Sequence, residues 1–216
     1  MTIQPVSVAD AVADELRRRL LAGEYPAGVQ LRDTELAEEF GVARPTVRAA
    51  VQMLVADGLL ERGRGRSAAV RSFSAADAID LYRLRRPVEL AAVDAILAEG
   101  RSIEAVRSAW ADFARLTDDA TWESVAELDV AFHRAVFVAA GSPRLLRTFD
   151  EIAAELRLFI AQLRPAYDSI ADLVHEHEQL LGALDSGSKR EARAAWSAHF
   201  DDSENFFLTL LKETTA

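Results

Sequence analysis

Phe40-Gly41-Val42 leaves almost no chain between two short amphipathic stretches, and that brevity constrains the fold more than any other feature. The first stretch, Asp33 to Phe40, stops at Gly41, where a helix C-terminus needs a left-handed residue. The second, about Arg44 to Asp57, begins almost at once and stops at Gly58. It carries Val47, Val51 and Leu54 on one side and Arg44, Arg48 and Gln52 on another, so one face packs and one projects. A helix entering a DNA major groove needs that division: an apolar back, and long hydrogen-bond donors in front.

The flanking segments fit the same unit. Ser7 is placed to cap a helix through Val8, Val12, Leu16 and Leu20 that ends at Gly23, and Tyr25-Pro26-Ala27-Gly28 then turns the chain into an extended piece through Val29 and Leu31. Beyond Gly58, Leu59–Arg62 and Ala68–Arg71 read as short strands around Gly63-Arg64-Gly65-Arg66, a basic hairpin tip with the character of a wing. Charge has to be counted by region here. Residues 1–72 hold 10 Arg against 10 acidic side chains, so the whole net charge of −10 falls in residues 73–216. Within residues 44–71, six Arg face only Asp57 and Glu61, a local excess suited to phosphate.

These residues resemble the winged helix-turn-helix of the GntR family from Leu31 to Val70, through Glu35-Leu36-Ala37, Phe40-Gly41-Val42, Arg44-Pro45-Thr46-Val47-Arg48 and Asp57-Gly58-Leu59-Leu60. The resemblance implies DNA contact by Arg44 and Arg48 on the recognition helix and places Gly65 of the wing against the minor groove; Thr46 between the two arginines and Arg64 and Arg66 in the basic wing tip complete the expected DNA-binding set. Two positions depart from the pattern: Ala43 stands where the family usually has a capping Ser or Thr, and Thr34 where some members have a DNA-contacting Arg.

After a short linker near Ser72–Ser74, helical periodicity continues to the end of the chain and no alternating strand pattern appears. Punctuation at Ser74, Ser102, Thr121, Ser142-Pro143, Ser169 and Ser188 predicts six helices, with Pro87 bending the first. The expected fold is therefore mainly α: a winged helix-turn-helix domain over residues 1–72 and an antiparallel helical bundle of about six helices over residues 73–216. No apolar run is long enough to span a bilayer, and Met1–Asp10 lacks the features of a secretory signal, so a cytoplasmic protein without membrane association is expected. The absence of cysteine removes disulfides and thiolate metal sites, leaving His and carboxylates as the metal ligands to consider.

Asp129 and His133 share one helix face at i, i+4, while His177 and His199 are spaced as facing positions on a helical hairpin, so four ligands can converge. Spacing alone also permits four ordinary polar residues. Asp129-Val130-Ala131-Phe132-His133, Glu176-His177 and His199-Phe200 resemble, in order, the metal-binding pattern of the helical (FCD-type) domain in the FadR branch of the GntR family. That resemblance implies a divalent ion held by Asp129, His133, His177 and His199; Zn²⁺ suits these ligands, with Ni²⁺ or Mn²⁺ as alternatives. His175 falls outside the pattern and is expected at the surface. Leu84-Arg85 followed by Glu89 matches a further family pattern, which makes Arg85 the residue for an effector carboxylate, against the alternative of a salt bridge to Glu89.

The function implied is a homodimeric transcriptional regulator, in the expected form a repressor, whose grip on double-stranded operator DNA is modulated by a small organic acid at the metal-containing pocket. Three other readings follow from the same residues: the ion itself as the signal, an inert structural ion in a dimerisation scaffold, and a hydrolytic metal centre. The last lacks a separate general base and oxyanion stabiliser in the sequence, so no enzymatic activity is expected.

Overall fold

The computed structural model describes residues 7–62, 67–162 and 169–213. The expected wing tip, Gly63 to Arg66, lies outside the described residues. The chain forms two compact units, residues 1–72 with 154–162 and residues 73–153 with 163–216.

In the first unit the order is α1 (Val8–Leu21), β1 (Gln30–Arg32), α2 (Asp33–Phe40), α3 (Arg44–Ala56), β2 (Leu60–Arg62) and β3 (Ser67–Val70). Helix α1 starts on a reciprocal capping box: Asp10 N–H donates to Ser7 Oγ at 3.1 Å, and Ser7 N–H donates to the Asp10 carboxylate at 3.1 Å. No side chain caps α3, since its N-cap is Ala43; Pro45 in the first turn leaves fewer N–H groups to satisfy. The strands form one antiparallel sheet in the order β1-β3-β2, with Leu31 opposite Ala68 and Leu60 opposite Val70. Behind it lie Leu16, Val47, Ala50, Leu54 and Leu59, all wholly buried. Each such Leu or Val contributes about 1.5–3 kcal/mol of burial. Because Val47, Ala50, Val51 and Leu54 fill the inner face of α3, Arg44, Arg48 and Gln52 are left on the exposed one.

The boundary expected after residue 72 would place residues 154–162 in the second domain, whereas they group with the first unit. Their polar ties explain this: Arg71 pairs with Glu155 at 2.8 Å, and Gln162 donates to the Arg71 carbonyl at 2.7 Å.

The second unit is built from α4 (Ala75–Glu99), α5 (Glu104–Phe113), α6 (Trp122–Ala140), the first part of α7 (Pro143–Gln162), α8 (Ile170–Asp185) and α9 (Lys189–Glu213). Among the described residues six helices therefore follow Ser74, as the punctuation predicts. Ser74, Thr121 and Ser169 each accept a backbone N–H at a helix start. Helix α4 continues through Pro87, which costs one backbone hydrogen bond. It packs on α9 and α6, while α5 packs on α6 and α8 around Phe113, Val125, Ile170 and Leu173. No helix among the described residues is long and apolar enough to cross a membrane.

Gly41 tests the tight turn. It sits at φ 63° with no atom within 4 Å of a built Cβ, so a side chain there meets backbone strain and nothing else. Gly41→Ala is expected to destabilise the first unit by about 1–2 kcal/mol, and Gly41→Asn by less. Thermal denaturation of both variants measures this; equal melting points for Ala, Asn and the wild type would contradict it.

Candidate functional site

The outer face of α3 comes first along the chain. Arg44 and Arg48 are exposed and one helical turn apart, and Thr46 is half-buried between them. Among the described residues neither arginine has a protein partner, in contrast to Arg62, which donates to Gln52 at 2.8 Å, and Arg71, which is paired with Glu155. The two arginines singled out on the recognition helix are thus the free ones, and Arg62 braces the root of the wing strand against α3. Arg64, Gly65 and Arg66 lie outside the described residues.

The second arrangement is buried among α4, α6, α8 and α9. Helix α6 supplies Asp129 and His133, α8 supplies His177, α9 supplies His199, and all four side chains are nearly or wholly excluded from solvent. The ligand atoms of the three histidines lie within 4.8 Å of one another. His133 Nε2 and His177 Nε2 are 3.3 Å apart, and Asp129 Oδ1 is 3.1 Å from His177 Nε2. His175 stands apart at the surface, as expected, within 3.4 Å of Glu178.

The tautomers decide what this cluster can hold. His133 Nδ1–H donates to Glu89 at 2.7 Å, and His177 Nδ1–H donates to the Leu173 carbonyl at 2.8 Å. In the neutral rings both Nε2 atoms then carry lone pairs, which converge on each other and on a carboxylate oxygen. A divalent cation resolves such a convergence. Tetrahedral ligands at Zn–N distances of about 2.0–2.1 Å stand roughly 3.3 Å apart, close to the separation of the two Nε2 atoms. Asp129 Oδ2 and His199 Nδ1 are buried without a hydrogen-bond partner, although Glu176 lies 3.7 Å from the latter. The donor set thus fits an ion that prefers nitrogen and carboxylate ligands.

Of the two readings of Arg85, the salt bridge is formed. Its Nε donates to Glu89 at 2.5 Å, so the salt bridge exists, yet its Nη2 is buried with no partner. Glu89, wholly buried, receives both Arg85 and His133. Sequence reasoning missed this second bond, because the two residues are 44 positions apart and no local spacing connects them. Burial opposes the Glu89 charge, but Arg85 and His133 outweigh it and hold the carboxyl at about 2. Burial likewise opposes ionisation of Asp129, and contacts to His177, His133 and Arg85 keep it well below the usual carboxylate range. Desolvation pushes His133 down to about 4 and lowers His199 too.

A winged helix-turn-helix with free arginines, together with a helical bundle enclosing a His-carboxylate cluster, defines a DNA-binding transcriptional regulator. The comparisons agree: residues 8–70 match the gntR family of bacterial regulatory proteins and residues 80–202 match the FCD domain, so the chain belongs to the gntR family and carries an FCD domain. It is 28% identical over 207 residues to the HTH-type transcriptional regulator LutR of Bacillus subtilis, covering 85% of this chain and 93% of the relative. It is 26% identical over 194 residues to the "Probable D-xylose utilization operon transcriptional repressor" of Paenarthrobacter nicotinovorans, covering 89% and 85%. A solved GntR transcriptional regulator from Rhodococcus sp. RHA1 superposes with a TM-score of 0.80 at 25% identity, over 93% of this chain and 97% of that one. These relatives are regulators, and the protein is not an enzyme.

The buried cluster makes stability depend on pH when no metal is present. The folded-state value of His133 lies below its ordinary 6.5, so as pH falls from about 6.5 to about 4 the unfolded chain binds the proton first and the folded state loses stability. Glu89, ordinarily 4.5 and held at about 2, adds a loss of the same sign below that window. Chelator-treated protein should therefore melt at progressively lower temperature on acidification, with a shallower decline in His133→Gln. A flat wild-type profile across this range would contradict the assignment of His133 as a buried neutral ring.

Proposed function

We propose that residues 1–72 bind operator DNA and that the helical bundle of residues 73–216 senses a small organic acid at a divalent metal ion and joins two chains into a dimer. The observation that carries the DNA half is the contrast on α3: Arg44 and Arg48 exposed and unpaired while their neighbours Arg62 and Arg71 are engaged. In a homodimer two such helices would enter successive major grooves of a pseudo-palindromic operator. The observation that carries the sensor half is the convergence of lone pairs from His133 and His177 on Asp129, with His199 beside them.

On this reading Asp129, His133, His177 and His199 hold the ion, Zn²⁺ by preference, with Ni²⁺ or Mn²⁺ as alternatives. Bound there, the ion supplies Lewis-acid attraction for a carboxylate oxygen. Glu89 and the Leu173 carbonyl keep the imidazoles turned with Nε2 inward, and Arg85 Nη2 offers a buried donor to the acid. The ligand changes operator affinity only by the difference in its affinity for the DNA-competent and incompetent arrangements. Repression relieved by ligand, in the cytoplasm, is the form proposed. Near-complete burial of the cluster also favours a second reading, in which the ion alone is the signal.

Duplexes selected from a random pool by the metal-loaded protein supply an operator for fluorescence anisotropy. Each of Arg44→Ala and Arg48→Ala should weaken binding by about 1–3 kcal/mol where the side chain reads a base, with melting temperature unchanged. His177→Ala should lose the metal, measured by elemental analysis after gel filtration. Operator affinity that responds to metal but to no carboxylate would favour the ion as the signal, and affinity that responds to neither would end the sensor reading.

A further inference from the structure

The side chains of α3 are poor in hydrogen-bond acceptors, and a bond from the neighbouring strand leaves them poorer. None of its 13 residues, Arg44 to Ala56, is acidic. Arg44 and Arg48 can only donate, and Thr46 is half-buried. Gln52, exposed and four residues beyond Arg48, carries the one side-chain carbonyl of the helix.

That carbonyl is engaged: Arg62 Nη2 donates to Gln52 Oε1 at 2.8 Å. Regular structure holds both partners. Gln52 follows the buried Val51 and precedes the buried Leu54 on α3, and Arg62 ends β2 opposite Ala68 of β3, two residues after the buried Leu60. The donor is a cation, which makes this the stronger kind of hydrogen bond. A guanidinium has five N–H groups, so the one given to Gln52 leaves others for phosphate, and docking on DNA does not require the bond to break.

In the major groove each base pair presents its own pattern of donors and acceptors. A free glutamine reads adenine with both ends of its amide, Oε1 accepting from N6 and Nε2 donating to N7. With Oε1 turned to Arg62, Gln52 presents its Nε2 donors, and the remaining N–H groups of Arg62 stand beside them. Arg44, Arg48, Gln52 and Arg62 then form a face that only donates. Guanine, with acceptors at N7 and O6, satisfies such a face, whereas the N6 amino group of adenine would meet donors.

We propose that Arg62 sets the base preference of Gln52, turning it from a reader of A·T pairs into a reader of G·C pairs. This rests on the proposed docking of α3 in the major groove, and adds which pair its third polar position selects and which residue decides it. Arg62 is a positioning residue in this scheme, acting through Gln52.

The test selects duplexes from a random pool with the full-length protein and compares the sequences recovered by wild type and variants. The pair that loses its preference in Gln52→Ala is the one Gln52 reads. In the wild type that pair should be G·C, favoured about tenfold over A·T in fluorescence anisotropy of otherwise identical duplexes. Arg62→Met keeps an unbranched side chain but frees Gln52 Oε1, and the same pair should then favour A·T. A merely structural role of Arg62 would weaken binding to every sequence without exchanging the pair. If Arg62→Met does not fold, the wild-type preference decides by itself. An A·T preference in the wild type, an unchanged preference in Arg62→Met, or no pair altered by Gln52→Ala would overturn the proposal and leave DNA binding in place. A pool from which the wild type selects no sequence would overturn the DNA-binding reading as well.

Discussion

One buried carboxylate, that of Glu89, organises the interior of the helical bundle. It is wholly excluded from solvent, so it needs compensation, and it receives it twice: from Arg85 one turn earlier on α4 and from His133 on α6. The dependence is mutual. Arg85 would be an uncompensated buried cation without Glu89, and His133 would lose the acceptor that turns its Nε2 toward Asp129 and His177. Removing one partner from such a set costs several times more than the intact set contributes, because what remains is a charge without a counter-charge. The orientation of the His133 ring is thus a consequence of how α4 packs on α6.

Much of this was legible in the sequence, for identifiable reasons. Gly41 predicts the turn because a left-handed C-cap suits glycine, and the observed φ of 63° is that requirement met. Ser74 and Thr121 mark helix starts because their hydroxyls accept backbone N–H groups there. The i, i+4 pair Asp129 and His133 falls on one buried face because helical periodicity is local. What was not legible depends on contacts between distant segments. The second bond of Glu89 spans 44 positions, and the grouping of residues 154–162 with the first unit rests on Glu155 and Gln162 meeting Arg71. Arg85 shows the boundary well: spacing offered a choice between salt bridge and ligand donor, whereas the geometry commits Nε to Glu89 and leaves Nη2 buried without a hydrogen bond.

The overall charge of −10 looks ill suited to a DNA-binding protein, but the length scale of electrostatics removes the conflict. At physiological ionic strength exposed charges are largely screened beyond about 8 Å, so a phosphate responds to the side chains beside it. What matters at α3 is that Arg44 and Arg48 are exposed and unpaired, and that the acidic surplus falls in residues 73–216. Basic side chains already committed to internal ion pairs, such as Arg17 with Asp57 and Arg71 with Glu155, contribute to the composition without adding to that footprint. Counting free cations by position is therefore a better guide to the interface than the net charge.

The same distinction between committed and uncommitted groups bears on the proposed response of the bundle to a ligand. A core in which every polar atom is satisfied has nothing to gain from a visitor. Here Arg85 Nη2, Asp129 Oδ2 and His199 Nδ1 are buried without hydrogen bonds, on α4, α6 and α9 respectively. Each such atom carries a desolvation penalty of about 1–3 kcal/mol until a partner arrives. Free energy of that size, concentrated at the junction of three helices, is comparable to the coupling of about 1–3 kcal/mol that typically separates regulatory states. On the proposed sensor reading, unsatisfied polarity at this point in the fold is the physical basis on which a bound ligand would alter the packing of the helices around it.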